Sequence, residues 1–168
     1  AVPSGLGLMA IQFAKYTGCW VATTASNEEK ASALHSLGAD LVINHRKENV
    51  AEAVQNAGGV NLVAELVGTT LQTSLDSCVP GGRVVLIGNL GGQKSTVDTQ
   101  SWRLKRIKVI GGGLMHTSTE NEHRILQLVV EKKIHPIIAR TLPVEQAAEA
   151  HRILASGEMI GKIVLVHS

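Results

Sequence analysis

The sequence predicts an α/β fold in which helices cover both faces of a parallel β-sheet. Short β-branched runs alternate along the chain with segments of helical periodicity, which is the pattern of strands joined by helical crossovers. The strand candidates are continuous apolar runs, as expected for strands that are buried on both faces. Glycines follow several of the helical segments and provide C-terminal stops. These observations favour a doubly wound sheet.

The first half of the chain begins with a predicted helix over residues 4–17, whose apolar residues recur at helical spacing. Ser26 and Glu29 form a predicted capping box for a second helix, which stops at Gly38. The other predicted elements of this half, in chain order, are strand 19–24, strand 40–44, helix 48–57, strand 60–67 and helix 69–79.

The second half continues the alternation. The segment 80–82, Pro-Gly-Gly, is predicted to be a turn into a strand over 83–88. The basic run 103–108 alternates with apolar residues and is interpreted as the solvated face of a strand entry. The other predicted elements, in chain order, are strand 107–110, helix 117–133, a break at His135-Pro136, helix 143–156 and strand 160–166.

Composition is that of a globular protein with room for one sizeable α/β domain. The 168 residues carry a net charge of +2, and the cations are scattered with few aromatic residues among them, which argues against a nucleic-acid surface. No run is long and apolar enough to span a membrane, and no secretory leader is recognised. Cys19 and Cys78 match no metal spacing or disulfide framework. A protein of the cytoplasm is expected.

The segment Ser4-Gly5-Leu6-Gly7 runs directly into the first predicted helix. A dinucleotide-binding turn needs small side chains at this point, because the backbone passes close to a pyrophosphate. The helix N-terminus offers free N–H groups and a partial positive charge to the anion. Two glycines before a helix also occur in ordinary tight turns, so this spacing alone is compatible with both interpretations.

A wider set of motifs resembles the medium-chain dehydrogenase/reductase family. Ala1-x-x-Ser-Gly-Leu-Gly7 followed by Met9–Lys15 is similar to the family signature Ala-x-x-Gly-x-x-Gly…Ala-x-Gln-x-Ala-Lys, with Ser4 in place of one glycine. The resemblance covers essentially the whole chain. Further stretches that agree in order and spacing are Glu29-Lys30, Leu37–Asp40, Val42–Asn44, Leu66–Gly68, Gly81–Gly88, Ala147–His151 and Gly161–Leu165.

The resemblance implies a Rossmann-type doubly wound parallel sheet. The family places an apolar strand immediately before Ala1, so this chain is expected to lack the usual first strand. Residues 1–135 are expected to form the dinucleotide-binding domain, and residues 136–168 to be the segment that returns to the family's catalytic barrel domain. Zinc-dependent members take their metal ligands from that barrel, so zinc is expected only through residues upstream of this chain.

The end of the predicted strand 19–24 distinguishes the two nicotinamide cofactors. An acid there binds the ribose of NAD, whereas the 2′-phosphate of NADP requires small polar groups and cations. The sequence continues from Thr24 to Ser26 without an acid, and the resemblance adds Lys30 and the pair His45-Arg46 as cations. NADP is therefore favoured over NAD. The alternative interpretations are a helix cap for Ser26 and a solvated helix residue for Lys30.

The nicotinamide end of the cofactor is expected at the carboxyl ends of the later strands. Glycines there let a flat ring approach the backbone, although they are also ordinary turn residues. The resemblance also makes Lys162 a phosphate contact, with a surface lysine as the alternative. The candidate cofactor-binding residues are Ser4, Gly5, Leu6, Thr24, Ser26, Lys30, His45, Arg46, Val67, Gly68, Ile87, Gly88, Asn89, Gly112, Leu114 and Lys162.

The activity implied by the resemblance is an NADP-dependent oxidoreductase that transfers a hydride between the nicotinamide and an alcohol or carbonyl, or a quinone or enone. No catalytic residue is identified, and the chain's part is to position the cofactor. The resemblance also implies a homo-oligomer through the predicted edge strand Ile107–Ile110. One alternative is a non-catalytic dinucleotide-binding module. Another is a methyltransferase, against which the missing acid after Thr24 argues.

Overall fold

The computed structural model describes residues 4–113 and 118–167, and its alternating helices and parallel strands confirm the predicted α/β class. A 3₁₀ turn, Val144–Gln146, precedes the last helix. The helices are α1 Gly5–Tyr16, α2 Glu28–Ser36, α3 Val50–Asn56, α4 Leu71–Ser77, α5 Thr99–Lys105, α6 Thr119–Val130 and α7 Ala147–Ser156. The strands are β1 Ala22–Ala25, β2 Leu41–Asn44, β3 Val60–Glu65, β4 Cys78–Leu86, β5 Lys108–Gly111, β6 Ile138–Pro143 and β7 Lys162–Val166.

The chain divides into two compact units. Of the described residues, the first unit comprises 43–113 and 118, and the second comprises 4–42 together with 119–167. The candidate residue Leu114 lies outside the described residues. Within ranges 4–113 and 118–167, no helix has the length and apolar character needed to cross a membrane.

The first unit contains a three-stranded parallel sheet in the order β3-β4-β5. Its core is formed by Leu75, Cys78, Val84 and Ile107, which are 5% exposed or less. Each fully buried aliphatic side chain of this kind contributes about 1.5–3 kcal/mol of stabilisation relative to an exposed one. Because the strands are parallel, the loops that follow them leave the sheet at the same edge.

The segment 80–82 is an irregularity inside β4 and not the predicted turn before it. In the pairing of the two strands, β3 advances by two residues, Val60 to Leu62, while β4 advances by five, Cys78 to Arg83. Pro80 has no N–H for the ladder, and Gly81 has a φ of +80° that favours glycine. The extra residues therefore loop out of the register, and the strand starts earlier than predicted.

The second unit has its own core, which N-terminal and C-terminal segments share. Leu8 of α1 and Leu34 of α2 are each 1% exposed, and Ile137 and Ile160 pack against the cluster that they form. Strands β6 and β7 form a parallel pair in this unit. Strand β1 pairs with β2. Residues 119–167 thus complete the hydrophobic core around α1 and α2.

A buried glutamine connects these two segments by hydrogen bonds. Gln12 Nε2 donates to the His135 carbonyl oxygen at 2.9 Å, and the His135 N–H donates to Gln12 Oε1 at 3.0 Å. The Gln12 amide also donates to the Leu8 carbonyl oxygen at 3.2 Å. One side chain therefore satisfies both backbone polar groups of a residue that is distant in sequence.

The predicted capping box at Ser26 and Glu29 is wrong. The N-cap of α2 is Asn27, whose Oδ1 accepts a hydrogen bond from the Lys30 N–H at 2.9 Å. Asparagine is as good an N-cap as serine, because its side-chain oxygen reaches the same free N–H groups. The hydroxyl of Ser26 is consequently available for another role.

Two elements were not predicted. Helix α5 occupies residues 99–105, where the sequence was interpreted as a strand entry, and it begins after Asp98, whose carboxylate accepts from the Gln100 N–H at 2.9 Å. Strand β6 precedes the last helix, which begins at Ala147 and not at residue 143. Its pairing with β7 is nonlocal, so the sequence of β6 alone carries little signal.

Candidate functional site

The N-terminus of α1 forms the turn that the sequence predicts for phosphate binding. Ser4 is the N-cap, and its Oγ accepts a hydrogen bond from the Gly7 N–H at 3.2 Å. The Leu8 N–H donates to the Ser4 carbonyl oxygen at 3.0 Å. The N–H groups of Gly5 and Leu6 have no acceptor within the helix, as in any first helical turn. These groups and the helix dipole favour an anion at this position.

The stem of Lys162 lies against the same turn. A Cβ atom on Gly5 would stand 2.6 Å from Lys162 Cε and 2.7 Å from its Cγ, so the lysine stem occupies the space that a side chain would need. Lys162 is exposed, and its ammonium is one bond beyond Cε. The structure therefore brings Ser4, Gly5 and Lys162 together, while the side chain of Leu6 is 50% exposed.

The carboxyl end of β1 carries Ser26 and the ammonium of Lys30. The Lys30 side chain is buried, with 5% of the residue exposed. Its Nζ donates to Ser26 Oγ at 3.2 Å and to the carbonyl oxygen of Gly157, the C-cap of α7. Among the described residues, no carboxylate forms a salt bridge with it. A buried cation held only by neutral oxygens favours the binding of an anion beside it.

The tip of β1 carries no acid. Thr24 is half-buried, Ala25 is buried, and Ser26 follows. The acids closest in sequence are Glu28 and Glu29, which are exposed in the first turn of α2, where they complement the helix dipole. Solvent and salt screen their repulsion of a bound anion. The tip thus presents a hydroxyl with an ammonium behind it.

His45 and Arg46 follow β2 and belong to the first unit. Both are exposed, and the Arg46 N–H donates to Asn44 Oδ1 at 3.1 Å. This bond across two residues is an Asx turn, which sets the path of the loop after the strand. The assignment of His45 and Arg46 to the cofactor phosphate stays a prediction.

The loops after β3, β4 and β5 meet at one edge of the first unit's sheet, and we call residues 66–70, 87–92 and 112–113 the carboxyl-end loops. The Gly91 N–H donates to the Val67 carbonyl oxygen at 2.8 Å. The Gly112 N–H donates to the Leu86 carbonyl oxygen at 2.7 Å. Within this unit the structure thus brings together the predicted residues Val67, Gly68, Ile87, Gly88, Asn89 and Gly112.

Two glycines of the carboxyl-end loops are required by close backbone contacts. Gly68 has a φ of +88°, and a Cβ there would stand 2.3 Å from the Gly92 carbonyl oxygen and 3.0 Å from Asn89 Cα. At Gly88 a Cβ would stand 2.3 Å from the Leu66 carbonyl oxygen. The loops therefore pack backbone against backbone at these two positions, where no side chain projects.

One residue of this edge, Glu65, was not identified from the sequence. Glu65 ends β3, is 3% exposed, and accepts hydrogen bonds from the N–H groups of Val67 and Gly68 at 2.8 and 3.0 Å. The hydroxyls of Thr70 and Ser74 also donate to its carboxylate. The available signal was an acid at the end of a mostly apolar strand, followed within five residues by a glycine and two threonines.

No group of three or more His, Cys, Asp or Glu side chains is arranged to hold a metal ion within the described ranges. An open hollow of about 550 Å³ lies beside α5 and includes Trp102, Arg103 and Arg106. It contains none of the candidate cofactor-binding residues. The described candidate residues of the second unit are thus at the turn of α1 and the tip of β1, and those of the first unit, apart from His45 and Arg46, are in the carboxyl-end loops; each set lies within its own unit.

Comparison with known proteins shows the family of the chain. A family model described as zinc-binding dehydrogenase matches residues 37–165. The chain is 34% identical over 165 residues to acryloyl-coenzyme A reductase of Sulfurisphaera tokodaii, with 96% of this chain and 47% of that protein covered. It is 30% identical over 171 residues to quinone oxidoreductase of Rattus norvegicus, with 96% and 51% covered. The chain thus spans about half the length of the curated relatives it matches.

Solved structures give the same result. A crystal structure of an NAD-dependent alcohol dehydrogenase matches with a TM-score of 0.88 and 28% identity, covering 100% of this chain and 50% of that one. The 2-octenoyl-CoA carboxylase reductase CinF, in complex with NADP and 2-octenoyl-CoA, matches with a TM-score of 0.87 and 26% identity, covering 99% and 42%. Because the family model matches most of its length, the chain belongs to the zinc-binding dehydrogenase family, which confirms the resemblance to medium-chain dehydrogenases/reductases.

Proposed function

We propose that this chain is the cofactor-binding part of an NADP-dependent oxidoreductase. The observation that carries the proposal is the pair Ser26 and Lys30 at the end of β1, a hydroxyl and a buried ammonium 3.2 Å apart where an NAD-binding protein of this class has an acid. The chemistry of this donor set fits a 2′-phosphate, which needs hydrogen-bond donors and positive charge. A ribose with two free hydroxyls would find no carboxylate there.

The orientation of Lys30 supports a phosphate contact through the free hydrogen of its ammonium. Two of the three ammonium hydrogens are directed at Ser26 Oγ and the Gly157 carbonyl oxygen. These neutral acceptors fix the ammonium without cancelling its charge, so little side-chain entropy remains to be lost when an anion binds. The Ser26 hydroxyl, which accepts from Lys30, directs its own hydrogen outward to a phosphate oxygen.

The turn at α1 is proposed to bind the pyrophosphate. The N–H groups of Gly5 and Leu6 donate along the helix axis, and the ammonium of Lys162 adds a cation beside them. The Lys162 stem lies next to the Cα of Gly5, in the space that a Cβ would take. Ser4 takes the position of a family glycine and caps the helix with its hydroxyl.

The carboxyl-end loops are proposed to receive the nicotinamide ring. The bound cofactor supplies or accepts the hydride, and the chain's residues hold the ring and exclude water from one side of it. The close packing of Gly68 and Gly88 keeps side chains out of the ring's path. Ile87, which is 42% exposed, offers an apolar contact at the same edge.

The proposed substrate is an alcohol or carbonyl, or a quinone or enone. Acryloyl-coenzyme A and 2-octenoyl-CoA, named for two of the similar proteins, carry an activated double bond, and a quinone is a conjugated carbonyl compound. Each of these is a conjugated carbonyl compound that hydride transfer and a proton can reduce, so the quinone and enone class receives the most support. The alternative function is a non-catalytic dinucleotide-binding module, which would bind NADPH and turn over no carbonyl or quinone.

Two further predictions belong to this proposal. Residues 136–168 are proposed to be the segment that leads back to a catalytic domain, and β5 is proposed as the edge through which a homo-oligomer forms. Strand β5 lies at one end of the β3-β4-β5 order, where an unpaired strand edge favours a partner. Light scattering of the purified protein measures the oligomeric state directly, and a monomer at all concentrations would contradict the second prediction.

The test of the cofactor proposal is a fluorescence titration of the purified protein and its Lys30→Met variant with NADPH and with NADH. We expect Lys30→Met to weaken NADPH binding about tenfold or more, because the variant loses one hydrogen bond to the charged phosphate. The binding of NADH should remain nearly unchanged. Ser26→Asp is expected to reverse the preference, because a carboxylate binds the ribose hydroxyls and repels the phosphate.

Lys105→Met is the matched control for this titration. Lys105 Nζ also donates to backbone carbonyl oxygens, those of Asp76 at 2.8 Å and Cys78 at 3.1 Å, so its replacement removes a comparable structural contact. It should change stability without changing the ratio of the NADPH and NADH dissociation constants. A Lys30→Met variant with an unchanged ratio would refute the proposed role of Lys30.

A further inference from the structure

Glu65 is a buried carboxylate surrounded by hydrogen-bond donors of its own unit. Its Oε1 accepts from the N–H groups of Val67 and Gly68 at 2.8 and 3.0 Å and from Thr70 Oγ1 at 2.8 Å. Its Oε2 accepts from Thr70 Oγ1 at 2.9 Å and from Ser74 Oγ. With 3% of the residue exposed, no solvent-facing role explains this arrangement.

The backbone of the same residue holds the neighbouring loop. The Glu65 carbonyl oxygen accepts from the Ile87 N–H at 2.9 Å and from the Gly88 N–H at 3.2 Å. The side chain of Glu65 therefore fixes the loop after β3, and its carbonyl oxygen fixes the loop after β4. One residue determines the relative position of two of the carboxyl-end loops.

The turn that the carboxylate holds has no room to shift. Gly68 packs against Gly92 and Asn89, and the Val67 carbonyl oxygen accepts from the Gly91 N–H at 2.8 Å. A change in the direction of the Val67 and Gly68 N–H groups would therefore displace the carboxyl-end loops that follow β3 and β4. A carboxylate can hold two successive N–H groups because each of its oxygens has two lone pairs. Here Oε1 accepts from both N–H groups, while Oε2 accepts from the hydroxyl of Ser74 in α4.

The ionised form of Glu65 is the form that this environment stabilises. Burial by itself raises the pKa of Glu65, but the hydrogen bonds from Ser74, Gly68, Val67 and Thr70 outweigh it and hold the pKa below its usual value. Among the described residues, no lysine or arginine forms a salt bridge with it. Its charge is balanced by N–H and hydroxyl dipoles, all of which it orients.

We propose that Glu65 is a positioning residue that sets the nicotinamide-binding surface by fixing the loops after β3 and β4. This inference rests on the proposed function, since it assigns the nicotinamide to those loops. It predicts that removing the carboxylate weakens recognition of the nicotinamide half of the cofactor and leaves the adenosine half unaffected. A residue that serves only general stability would not discriminate between the two halves.

The test uses two probes that each carry one half of the cofactor. Reduced nicotinamide mononucleotide and 2′,5′-ADP are titrated into the wild-type protein and the Glu65→Gln variant, with binding followed by NMR. Gln keeps one oxygen for the Val67 and Gly68 N–H groups but places an amide against the hydroxyls of Thr70 and Ser74. We expect the nicotinamide probe to bind about tenfold more weakly and 2′,5′-ADP to bind within a factor of two of wild type.

A second pair of variants decides the question should Glu65→Gln fail to fold. Thr70→Val removes one hydroxyl donor at nearly constant volume, and Thr70→Ser retains it. Weaker binding of the nicotinamide probe in Thr70→Val, with recovery in Thr70→Ser, supports the proposal. Equal loss of both probes in a folded variant, or no loss of the nicotinamide probe, overturns it.

The control is Asp40→Asn in the second unit. Asp40 also accepts from a backbone N–H, that of Val21 at 2.7 Å, and it binds Lys15, so its replacement removes a carboxylate of structural importance. This variant should lower the melting temperature and change neither probe's affinity. Failure of wild type to prefer 2′,5′-ADP over 5′-AMP would instead contradict the NADP proposal, and so the two failures are distinguishable.

Discussion

The replacement of Gln12 by leucine gives a quantitative prediction for the stability of the second unit. Gln12 is 8% exposed and forms a two-point hydrogen-bonded pair with His135, at 2.9 and 3.0 Å. Leucine is similar in size but has no polar group, so the His135 N–H and carbonyl group both lose their partner. His135 is exposed and both bonds are partly buried, so each lost bond costs about 0.5–1.5 kcal/mol, and part of this cost is recovered by the added apolar burial.

The expected loss for Gln12→Leu is therefore about 1–2 kcal/mol. For a domain of this size, this corresponds to a decrease in Tm of roughly 2–8 °C. Differential scanning calorimetry measures the decrease, and urea unfolding gives the free energy. Gln127→Leu is the matched control, because Gln127 is exposed and donates to Glu131, the residue directly after its own helix, so a change within about 0.5 kcal/mol is expected there.

Equal stability changes for Gln12→Leu and Gln127→Leu would refute this reasoning. Such a result would mean that the His135 peptide finds other partners or water once Gln12 is gone. A loss for Gln12→Leu alone would explain why the signature segment of α1 carries a glutamine on a helix face that is otherwise apolar.

Three further predictions follow from single contacts. The hydrogen bond from Lys15 holds the pKa of Asp40 below its usual value. The ionised Asp40 therefore stabilises the fold above its unfolded-state pKa, and this stabilisation is lost as the pH falls through the lowered pKa. When the free energy of unfolding is measured from pH 7 to pH 3, it should fall less steeply in Asp40→Asn than in the wild type. Gly68→Ala should destabilise the first unit and weaken nicotinamide binding, because the new Cβ meets a backbone oxygen at 2.3 Å, and a Tm equal to wild type would contradict this. In thiol labelling, the exposed Cys19 should react in the native state. Burial raises the pKa of the Cys78 thiol, so Cys78 should react only after unfolding. Equal labelling rates for the two cysteines would refute the burial of Cys78.

The sequence predicts the elements whose signals are local. Helix α1 is foreseen from its apolar spacing, and β3 from a continuous apolar run. Strand β6 is not foreseen, because its residues are mostly exposed and its existence depends on pairing with β7. Helix α5 buries none of its residues and has no apolar stripe, so only the cap at Asp98 marks its start.

The candidate site follows the same division. Ser26 and Lys30 are identified through a resemblance. Their hydrogen bond is consistent with their spacing of four residues, and the Ser26 hydroxyl is available for it because Asn27 caps the helix. Lys30 also donates to the carbonyl oxygen of Gly157, which is distant in sequence, so the burial of the Lys30 side chain could not be predicted. Glu65 is missed for a similar reason, since its role depends on contacts that only the folded loops create.

The central claim is that this chain binds the 2′-phosphate of NADP at Ser26 and Lys30. Isothermal titration with 2′,5′-ADP and with 5′-AMP tests it most directly, because the two ligands differ only in that phosphate. The account predicts that 2′,5′-ADP binds at least about tenfold more tightly, with a preference that weakens at high salt and disappears in Lys30→Met. Equal affinities, or tighter binding of 5′-AMP, would contradict it.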